Sequence, residues 1–530
     1  MQDEQLKLKT CATPESTPKN NARLEGRLNL HPCTIGTQGF CCKLCMMGPC
    51  RVLNDSRKSV CGSSRDLIVA KNILRFTTGG AAAHIGHARH LLRFISGSGQ
   101  KRPPGNYLRR KAPSYLYEKW REKGILPAEE DNGFLGDMVE ALHMTTLGVN
   151  SDYKSILVNC LKMGLIDGYY GLYLGTELEE SSFGKPVVHE GMIDLGSIRP
   201  DKINIALHGH EPALADQMVK ESANYREINL VGVCCTGSYL LAKHGVPMAG
   251  HFPLQEEVIC TGLIEALVVD VQCIIPSVAD LCDCYHTKLV STNEIGRFPN
   301  AMHRPVTNPA SAATIAREVI EIAVQNRTNR RDEHERSFRE RNLLPRRVVV
   351  GHTQQSVPTE RIADAIKNGR LKGVIGVIGC VHPRINCDEW IKVYREMSSD
   401  FVILATGCMA FEFGRYGLLD GQRIFHLGSC INNARIAEVM LQISRHLGDT
   451  IFNMPFLISA PAPVSEKAMS IAMFFAALGV SIHSGFPYLM TGAPDIADFL
   501  CGSLSGMFGS RSYFEDNPGV FMSKVRSDFT

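Results

Sequence analysis

The chain has 530 residues, of which 44% are hydrophobic and 21% charged, a composition typical of a globular protein of about three domains with a large core. Its 57 Lys and Arg residues nearly balance its 54 Asp and Glu residues, and the net charge of +3 argues against a nucleic-acid or membrane-surface binder that acts through bulk charge. The sequence also lacks a secretory signal and an apolar run long enough to span a bilayer. We therefore expect a cytoplasmic protein whose 19 cysteines stay reduced, and we interpret the clustered ones as metal ligands rather than disulfides.

Six of the cysteines are packed between Cys33 and Cys61. Four of them follow the spacing C-x2-C-x4-C-x10-C, whose short first gap lets two thiolates bind one metal centre from a tight loop; these are Cys42, Cys45, Cys50 and Cys61. Four-thiolate sites hold zinc or iron–sulfur clusters. We predict that neighbouring apolar side chains wrap the site; these are Phe40, Leu44, Met46 and Met47. Apolar wrapping favours a redox cluster, and a structural zinc ion is the alternative.

Two cysteines of this block, Cys33 and Cys41, remain outside that set. A pair cannot complete a four-thiolate cluster within one chain, but two copies related by a two-fold axis can. The pattern therefore predicts a homodimer with a cluster on the symmetry axis. Two spare buried thiols are the alternative.

The periodicity of apolar residues divides the chain. It predicts a mainly helical region up to about residue 200, followed by short β-rich runs between helical segments, which indicate parallel α/β units. The predicted class is α plus α/β: a helical domain with the amino-terminal iron–sulfur segment over 1–200, a Rossmann-like domain over 201–340 and a second over 345–530. The long helical pattern of 66–95 is predicted to be interrupted at Gly79 and Gly80. The charged segment 326–341 is predicted to be a solvated helix or linker.

One pattern recurs through both α/β blocks, namely an apolar strand that ends in a metal-binding residue. These residues are His208 and His210 in INIALHGH, Cys234 and Cys235 in NLVGVCC, Cys273 in ALVVDVQC, Cys380 in GVIGVIGC, Cys408 in DFVILATGC and Cys430 in RIFHLGSC. Ligands of open parallel sheets bind beyond the carboxyl ends of the strands, so we predict that these residues converge on one site. Five thiolates and an imidazole exceed the needs of one four-iron cluster and indicate an additional metal or an exposed iron. Cysteines without this placement, such as Cys11 and Cys284, are interpreted as structural or incidental.

The segment AAAHIGHARH places His84, His87 and His90 three residues apart on a predicted helix. Such a row could relay protons between a buried site and solvent, although surface or core histidines are the alternative. Lys467 follows Ser465 and Glu466 at a predicted helix start, where the helix dipole should lower the pKa of the lysine. Taken alone, Lys467 could equally be a solvated surface residue.

These motifs together carry a resemblance to a known family. The Cys33–Cys61 block, AAAHIGHARH, GVCCTG, VDVQC, ATGC and GSCINNAR are similar to the motifs of the anaerobic nickel–iron carbon monoxide dehydrogenases. The resemblance runs from about residue 30 to the carboxyl end.

The resemblance implies three metal clusters. A [4Fe–4S] relay cluster would be held by Cys42, Cys45, Cys50 and Cys61, and a [4Fe–4S] cluster shared across a homodimer by Cys33 and Cys41. A nickel–iron–sulfur active cluster would be held by His210, Cys235, Cys273, Cys380, Cys408 and Cys430. His210 is preferred to His208 on the resemblance, and the choice between Cys234 and Cys235 stays open.

The resemblance also implies the reaction and its supporting residues. CO and water would be converted reversibly to CO2, two electrons and two protons, and the electrons would leave through the relay clusters to a ferredoxin-like carrier. Lys467 and His84 would stabilise bound carboxylate and move protons, supported by the acid Asp167, and His87 and His90 would continue the proton route.

Several neighbours of the implied ligands depart from the family pattern. Glu211 follows His210 where an amide is expected, Val381 and His382 follow Cys380 where asparagines are expected, and Met409 and Ala410 follow Cys408 where small residues are expected. Glu211, a possible extra ligand, and His382 are hard donors that favour iron with oxygen ligands over nickel. The related hybrid cluster proteins carry such an iron–sulfur–oxygen cluster and resemble hydroxylamine reductases. They define the first alternative, and a non-catalytic redox sensor is the second.

Overall fold

The computed structural model describes residues 27–28, 32–54, 56–96, 106–129, 133–485 and 492–529. Within them a helical region precedes two largely parallel sheets with helices between their strands, which confirms the predicted α plus α/β class. Cys11 lies outside the described residues.

The helical region follows a small antiparallel hairpin made of β1 Cys41–Cys42 and β2 Cys50–Arg51. Its helices are α1 Arg65–Ser96, α2 Tyr107–Lys111, α3 Ser114–Glu122, α4 Gly133–Met144, α5 Tyr153–Ile166 and α6 Leu174–Phe183, and a π-helical segment Asp167–Tyr173 joins the last two. Helix α1 runs unbroken through Gly79 and Gly80, so the predicted interruption is wrong. Gly80 instead permits a close helix crossing, because a Cβ atom there would lie 2.3 Å from the Glu466 carbonyl oxygen.

The first sheet carries the first α/β block. Its strands are β3 His189–Ile193, β4 Ile203–Gly209, β5 Ile228–Val233, β6 Met248–Gly250, β7 Ile264–Val269, β8 Lys288–Ser291, β9 Met302–His303 and β10 Arg346–Val350. Among the described residues the order is β10-β3-β6-β5-β4-β7-β8-β9, with β10 antiparallel to β3 and the other pairs parallel. Strands β3 and β10 lie outside 201–340 but belong to this sheet. The proposed domain boundaries stay a prediction.

The second sheet is parallel throughout the part of the chain that the structure describes. Its strands are β11 Gly373–Val377, β12 Phe401–Ala405, β13 Ile424–His426, β14 Phe456–Ala460, β15 Ser481–Ser484 and β16 Ser512–Phe514, in the order β13-β12-β11-β14-β15-β16. Every residue of β11, β12 and β14 is buried. Their continuous apolar sequences are typical of parallel strands covered on both faces.

Helices flank both sheets. Those of the first are α7 Pro212–Ser222, α8 Cys234–His244, α9 Gln255–Cys260, α10 Ser277–Cys284, α11 Pro309–Asn326 and α12 Asp332–Glu340. Those of the second are α13 Thr359–Lys367, α14 Cys387–Met397, α15 Gly407–Arg415, α16 Asn433–Leu447, α17 Glu466–Ala477, α18 Pro494–Asp498 and α19 Pro518–Asp528. Helix α17 packs against α1 and α5, so it ties the second sheet to the helical region.

The charged segment 326–341 is more than a solvated linker. Its Arg330 guanidinium is buried against Glu265, with Nε 2.6 Å from Oε1 and Nη2 2.7 Å from Oε2. Arg330 also donates to the carbonyl oxygens of Lys202 and Leu263, just before β4 and β7. The segment therefore fastens the amino ends of two central strands.

Two further expectations concern membranes and disulfides. No helix of the described residues is long and apolar enough to cross a membrane. The cysteines predicted as ligands carry free thiols, whereas Cys284 is disulfide-bonded. The expectation that every cysteine is reduced is therefore wrong for Cys284.

Candidate metal centre

The two sheets bring their strand-end ligands together. His210, Cys235 and Cys273 follow the adjacent strands β4, β5 and β7, and the other three candidates follow the adjacent strands β11, β12 and β13; they are Cys380, Cys408 and Cys430. The two groups meet where the Cys430 backbone N–H points to Cys235 Sγ, 3.5 Å away. Ligands placed beyond the carboxyl ends of strands, where strand order reverses, occupy the usual site of open α/β sheets.

The backbone at these strand ends is strained. Three residues that are not glycine adopt the left-handed region, with φ of 56° at Cys234, 66° at Gln272 and 56° at Cys273. Such conformations cost about 1–3 kcal/mol each and persist where the surroundings impose them, often at functional sites. Gly407 has φ of 62°, and a Cβ atom there would lie 2.8 Å from Cys430 Sγ, so only glycine leaves that sulfur its room.

Lys467, at the start of α17, joins this centre. Its Nζ lies 2.7 Å from His210 Nε2, 3.2 Å from Cys273 Sγ and 3.0 Å from Gln272 Oε1. Burial disfavours the charge, but attraction to the thiolate forms of the surrounding cysteines, Cys273 foremost, holds the pKa of Lys467 above its ordinary value. The predicted lowering of the pKa of Lys467 by the helix dipole is therefore wrong, and the centre contains a buried ammonium group.

The protonation chemistry of the donors fits a metal cluster. Burial raises the pKa of Cys273 to about 12 and lowers the pKa of His210 to about 4. The imidazole is therefore neutral, as a ligand must be, and the Cys273 thiol becomes a thiolate only when a cation replaces its proton. The described residues contain no group of three His, Cys, Asp or Glu placed to hold a single metal ion, so the fit rests on this chemistry and on the number of soft donors.

The structure shows different contacts for His208 and His210, and for Cys234 and Cys235. His210 contacts Lys467 and the Cys235 thiol, whereas His208 Nε2 lies 2.9 Å from Gln255 Oε1. Cys235 contacts both His210 and Cys430, while the Cys234 thiol contacts Cys408. His210 and Cys235 thus contact each other at the centre, and Cys234 contacts the candidate ligand Cys408.

A buried histidine–carboxylate pair lies beside Lys467. His84 Nδ1 is 2.8 Å from Asp167 Oδ1, and the Ser470 hydroxyl, one turn along α17 from Lys467, donates to Asp167 Oδ2 at 2.6 Å. His84 Nε2 is buried and has no hydrogen-bond partner among the described residues. Gly171 makes the pair possible, since a Cβ atom there would lie 2.7 Å from His84 Cβ.

The other two histidines of α1 also face carboxylates. His87 Nε2 lies 3.3 Å from Glu179 Oε1, and His90 Nδ1 contacts Glu211 Oε1. Side-chain exposure rises from 2% at His84 through 3% at His87 to 19% at His90. The row therefore runs from the buried centre toward a cavity of about 70 Å³ that His90 and Glu211 border.

Glu211, the possible extra ligand, faces the histidine row. Besides His90, its carboxylate accepts a hydrogen bond of 2.9 Å from the Asn293 side chain. Its backbone N–H and that of His210 both donate to Asp270, at 3.0 Å and 2.7 Å. This arrangement orients the His210–Glu211 turn and directs Glu211 to the histidine row.

The amino-terminal cysteines lie on and around the small hairpin. Cys42 pairs with Cys50 across the two strands, and the Cys42 thiol interacts electrostatically with Cys50, Cys61 and Cys45. Asn72 of α1 fixes the hairpin by donating to the Gly39 carbonyl oxygen at 2.7 Å. The predicted apolar wrapping forms only in part, because Met46 and Met47 are exposed whereas Phe40 packs into the core.

Cys33 and Cys41 lie at the edge of the same segment. Cys33 is exposed and Cys41 half-buried, so Cys33 is not a buried spare thiol. The Gly36 backbone N–H donates to Cys33 Sγ at 3.4 Å, and this contact lowers the pKa of the Cys33 thiol.

Sequence reasoning missed two residues that organise the site. Gln272 accepts from Lys467 and donates to the Ala83 carbonyl oxygen at 2.7 Å, so it links the Cys273 loop to α1. The sequence could have pointed to Gln272 through its position directly before the candidate ligand Cys273. Glu179, the partner of His87, has no signal in the sequence, because 92 positions separate the two residues along the chain.

A family model described as Prismane/CO dehydrogenase family matches residues 40–107 and 94–519 of the chain. Carbon monoxide dehydrogenase 1 from Methanosarcina mazei is 30% identical over 92% of this chain and 90% of its own length. Carbon monoxide dehydrogenase 1 from Carboxydothermus hydrogenoformans is 27% identical over 93% of this chain and 92% of its own length.

Two solved structures are similar in fold over nearly the whole chain. Carbon monoxide dehydrogenase IV from Carboxydothermus hydrogenoformans has a TM-score of 0.88 at 26% identity, covering 98% of both chains. A nickel-free carbon monoxide dehydrogenase from Thermococcus sp. AM4 has a TM-score of 0.86 at 28% identity, covering 96% of this chain and 93% of its own.

Proposed function

The chain belongs to the Prismane/CO dehydrogenase family and is an oxidoreductase of the carbon monoxide dehydrogenase type, and we propose that it oxidises CO with water, reversibly, to CO2, two electrons and two protons. The observation that carries the proposal is the position of Lys467. Its ammonium group contacts His210 and Cys273, while Ser470, on the same helix, holds the Asp167 that orients His84.

We propose that a nickel–iron–sulfur cluster is bound by the converging donors, which are His210, Cys235, Cys273, Cys380, Cys408 and Cys430. When bound, such a cluster supplies a site for CO, Lewis-acid activation of water and storage of electrons. Five soft thiolate donors and a single neutral imidazole suit these metals. The buried Cys273 thiol, whose pKa is raised to about 12, would gain a cation in place of its proton.

Lys467 and His84 then act on the reacting carbon centre. The ammonium group of Lys467 is placed to stabilise negative charge that develops on a carboxylate-like transition state, through a charge-assisted hydrogen bond in a buried site. His84 is oriented by Asp167 through Nδ1, which leaves Nε2 to take up or donate a proton. Asp167 itself is held by Ser470.

Protons leave along the histidine row. Residues three apart on an α-helix are separated by about 4.5 Å of rise, and each imidazole of the row faces a carboxylate. Burial disfavours the charge on His87, but Glu179 raises the pKa of that imidazole overall. The route ends at His90 and Glu211, the most exposed pair of the row.

A second cavity is suited to a small apolar substrate. It measures about 560 Å³ and is lined largely by apolar side chains of α17 and of the β15–β16 edge, among them Ala468, Met469 and Phe514. Ser465 also lines it, and the Cys380 thiol donates to the Ser465 hydroxyl at 3.7 Å. We propose that CO reaches the centre from this side.

Electrons leave through the amino-terminal cysteines. We propose a [4Fe–4S] cluster on Cys42, Cys45, Cys50 and Cys61 and a second one shared by Cys33 and Cys41 of two subunits, which delivers electrons to a ferredoxin-like carrier. The exposed apolar side chains near these cysteines support a homodimer contact there; they are Met46, Met47, Leu53 and Val60.

The contacts of Glu211 disfavour the hybrid-cluster alternative. That alternative needs oxygen donors at the centre, and the Glu211 carboxylate is instead bound by His90 and Asn293. His382, the other hard donor, lines the apolar cavity.

The test is an activity measurement on protein purified without oxygen. CO-dependent reduction of a viologen dye, with nickel near one atom per chain, is the expected result. Iron without nickel, no CO turnover and slow reduction of hydroxylamine would support the hybrid-cluster alternative. Absence of both activities would support a redox sensor.

The shared cluster is tested separately by Cys41→Ala, with Cys501→Ala as a control at an exposed cysteine outside the ligand sets. We expect Cys41→Ala to lower the iron content of the dimer by one cluster and Cys501→Ala to leave it unchanged. Unchanged iron content in Cys41→Ala would refute the shared cluster.

A further inference from the structure

The sulfur of Cys61 lies between two serine hydroxyls. Ser59 Oγ and Ser63 Oγ are each 3.2 Å from Cys61 Sγ. A thiolate that holds iron can only accept hydrogen bonds, so both hydroxyls must donate to it. The Ser59 hydroxyl is fixed in this role because it accepts the Ser63 backbone N–H at 2.9 Å.

A buried lysine adds positive charge to the same thiols. Lys71 is 6% exposed, which is rare for lysine, and its Nζ donates to the Thr146 carbonyl oxygen at 3.3 Å. Burial lowers the pKa of Lys71, and the electrostatic interaction of its ammonium group with Cys61 and Cys42 opposes this shift. Because Lys71 is shielded from water, this interaction is screened less than that of a surface lysine.

We propose that Ser59, Ser63 and Lys71 raise the reduction potential of the iron–sulfur cluster held by Cys42, Cys45, Cys50 and Cys61. The inference rests on the proposed function for the identity of that cluster. On reduction the cluster takes up one electron released by the oxidation of CO, and no bond to the protein forms or breaks. The added negative charge strengthens the hydrogen bonds to Cys61 Sγ and the attraction to Lys71, so these groups stabilise the reduced form more than the oxidised form.

This arrangement would make the cluster a ready electron acceptor. The hydroxyls act on one ligand, Cys61, which is exposed to solvent, whereas Lys71 acts from the buried side of the segment. The three residues position charge and do not touch substrate.

The test is a redox titration of the anaerobically purified protein, followed by electron paramagnetic resonance with dithionite as reductant. The signal of this cluster is identified first as the one that Cys45→Ala abolishes. We expect Ser63→Ala and Lys71→Met to lower its midpoint potential at unchanged iron content, and Lys71→Arg, which keeps the charge, to restore most of the shift.

The matched controls are Ser56→Ala and Lys58→Met. Both residues are exposed, and the Ser56 hydroxyl bonds to Asn54 Oδ1 at 2.8 Å rather than to a cysteine. We expect the controls to leave the midpoint potential unchanged. Ser59→Ala is not used to decide the result, because it also removes the acceptor of the Ser63 backbone N–H and could prevent iron binding. The decision rests on Ser63→Ala and Lys71→Met.

An unchanged midpoint potential in Ser63→Ala and Lys71→Met, or an equal shift in the controls, would overturn the inference. The titration uses a chemical reductant, so it remains decisive if the protein has no CO turnover. If Cys45→Ala abolishes no iron–sulfur signal, the cluster assignment itself is wrong and the inference falls with it.

Discussion

His84 Nδ1 lies 2.8 Å from Asp167 Oδ1, and neither side chain is more than 2% exposed. Asp167 begins the π-helical segment Asp167–Tyr173, and such segments in helices often mark functional sites. A third element, α17, completes the pair through the Ser470 hydroxyl. His84 is therefore held in one orientation by residues that lie on two other helical elements.

Replacing Asp167 by asparagine should lower the CO oxidation rate by roughly 10- to 100-fold, because the His84 ring loses the carboxylate that orients it. Nickel and iron contents should stay normal, since Asp167 contacts none of the proposed ligands. The measurement is CO-dependent viologen reduction combined with metal analysis. Asp152→Asn, an exposed helix cap on α5, is the control, and an equal loss of rate in both variants would contradict the role of Asp167.

His90→Gln should slow turnover by about 100-fold without changing the KM for CO, because the change blocks proton exit and leaves the substrate site intact. High concentrations of a small buffer such as imidazole should restore part of the rate, which a purely structural defect would not show. His143→Gln, at an exposed position of α4, should have no effect. A raised KM with normal kcat in His90→Gln would count against the proton route.

The convergence of the candidate ligands was predictable because each apolar strand is followed by a cysteine or histidine, and parallel strands align these ends at one edge. The pairing of β10 with β3 could not be predicted, because the two strands are far apart in sequence and neither carries a pairing signal. The direction of the pKa shift of Lys467 depends on Cys273 and other thiols that only the fold brings near. Gln272 and Glu179 were missed for the same reason, as their partners lie on α1.

Arg330→Met should destabilise the protein by about 3–5 kcal/mol, because it leaves the Glu265 carboxylate buried without a partner. Thermal unfolding followed by circular dichroism should show a clearly lower midpoint temperature. The adjacent Arg331→Met changes a side chain that is 64% exposed and should have little effect. Equal midpoints for Arg330→Met and the unmodified protein would show that segment 326–341 is only a linker.

The buried Glu412 should make stability depend on acid pH. Burial by itself would raise the pKa of Glu412, but His251, with Nε2 2.5 Å from Oε1, and Arg415 hold the pKa at about 2. Since the unfolded value is about 4.3, the pair stabilises the fold fully above that pH, by on the order of 3 kcal/mol, and the contribution is lost as pH falls toward 2.

The measurement compares the unfolding temperatures of the unmodified protein and Glu412→Gln between pH 7 and pH 3. The difference should stay constant down to about pH 4.5 and shrink below it. Glu396→Gln, at a side chain that is 58% exposed, is the control. A difference that grows as the pH falls would contradict the assigned pKa direction.

Crystals grown without oxygen would test whether donors from both sheets hold a nickel-containing cluster, through anomalous scattering recorded on both sides of the nickel absorption edge. We expect a nickel peak enclosed by six donors, next to Lys467; the donors are His210, Cys235, Cys273, Cys380, Cys408 and Cys430. A difference map with iron but no nickel at this position, from protein that reduces viologen with CO, would contradict it.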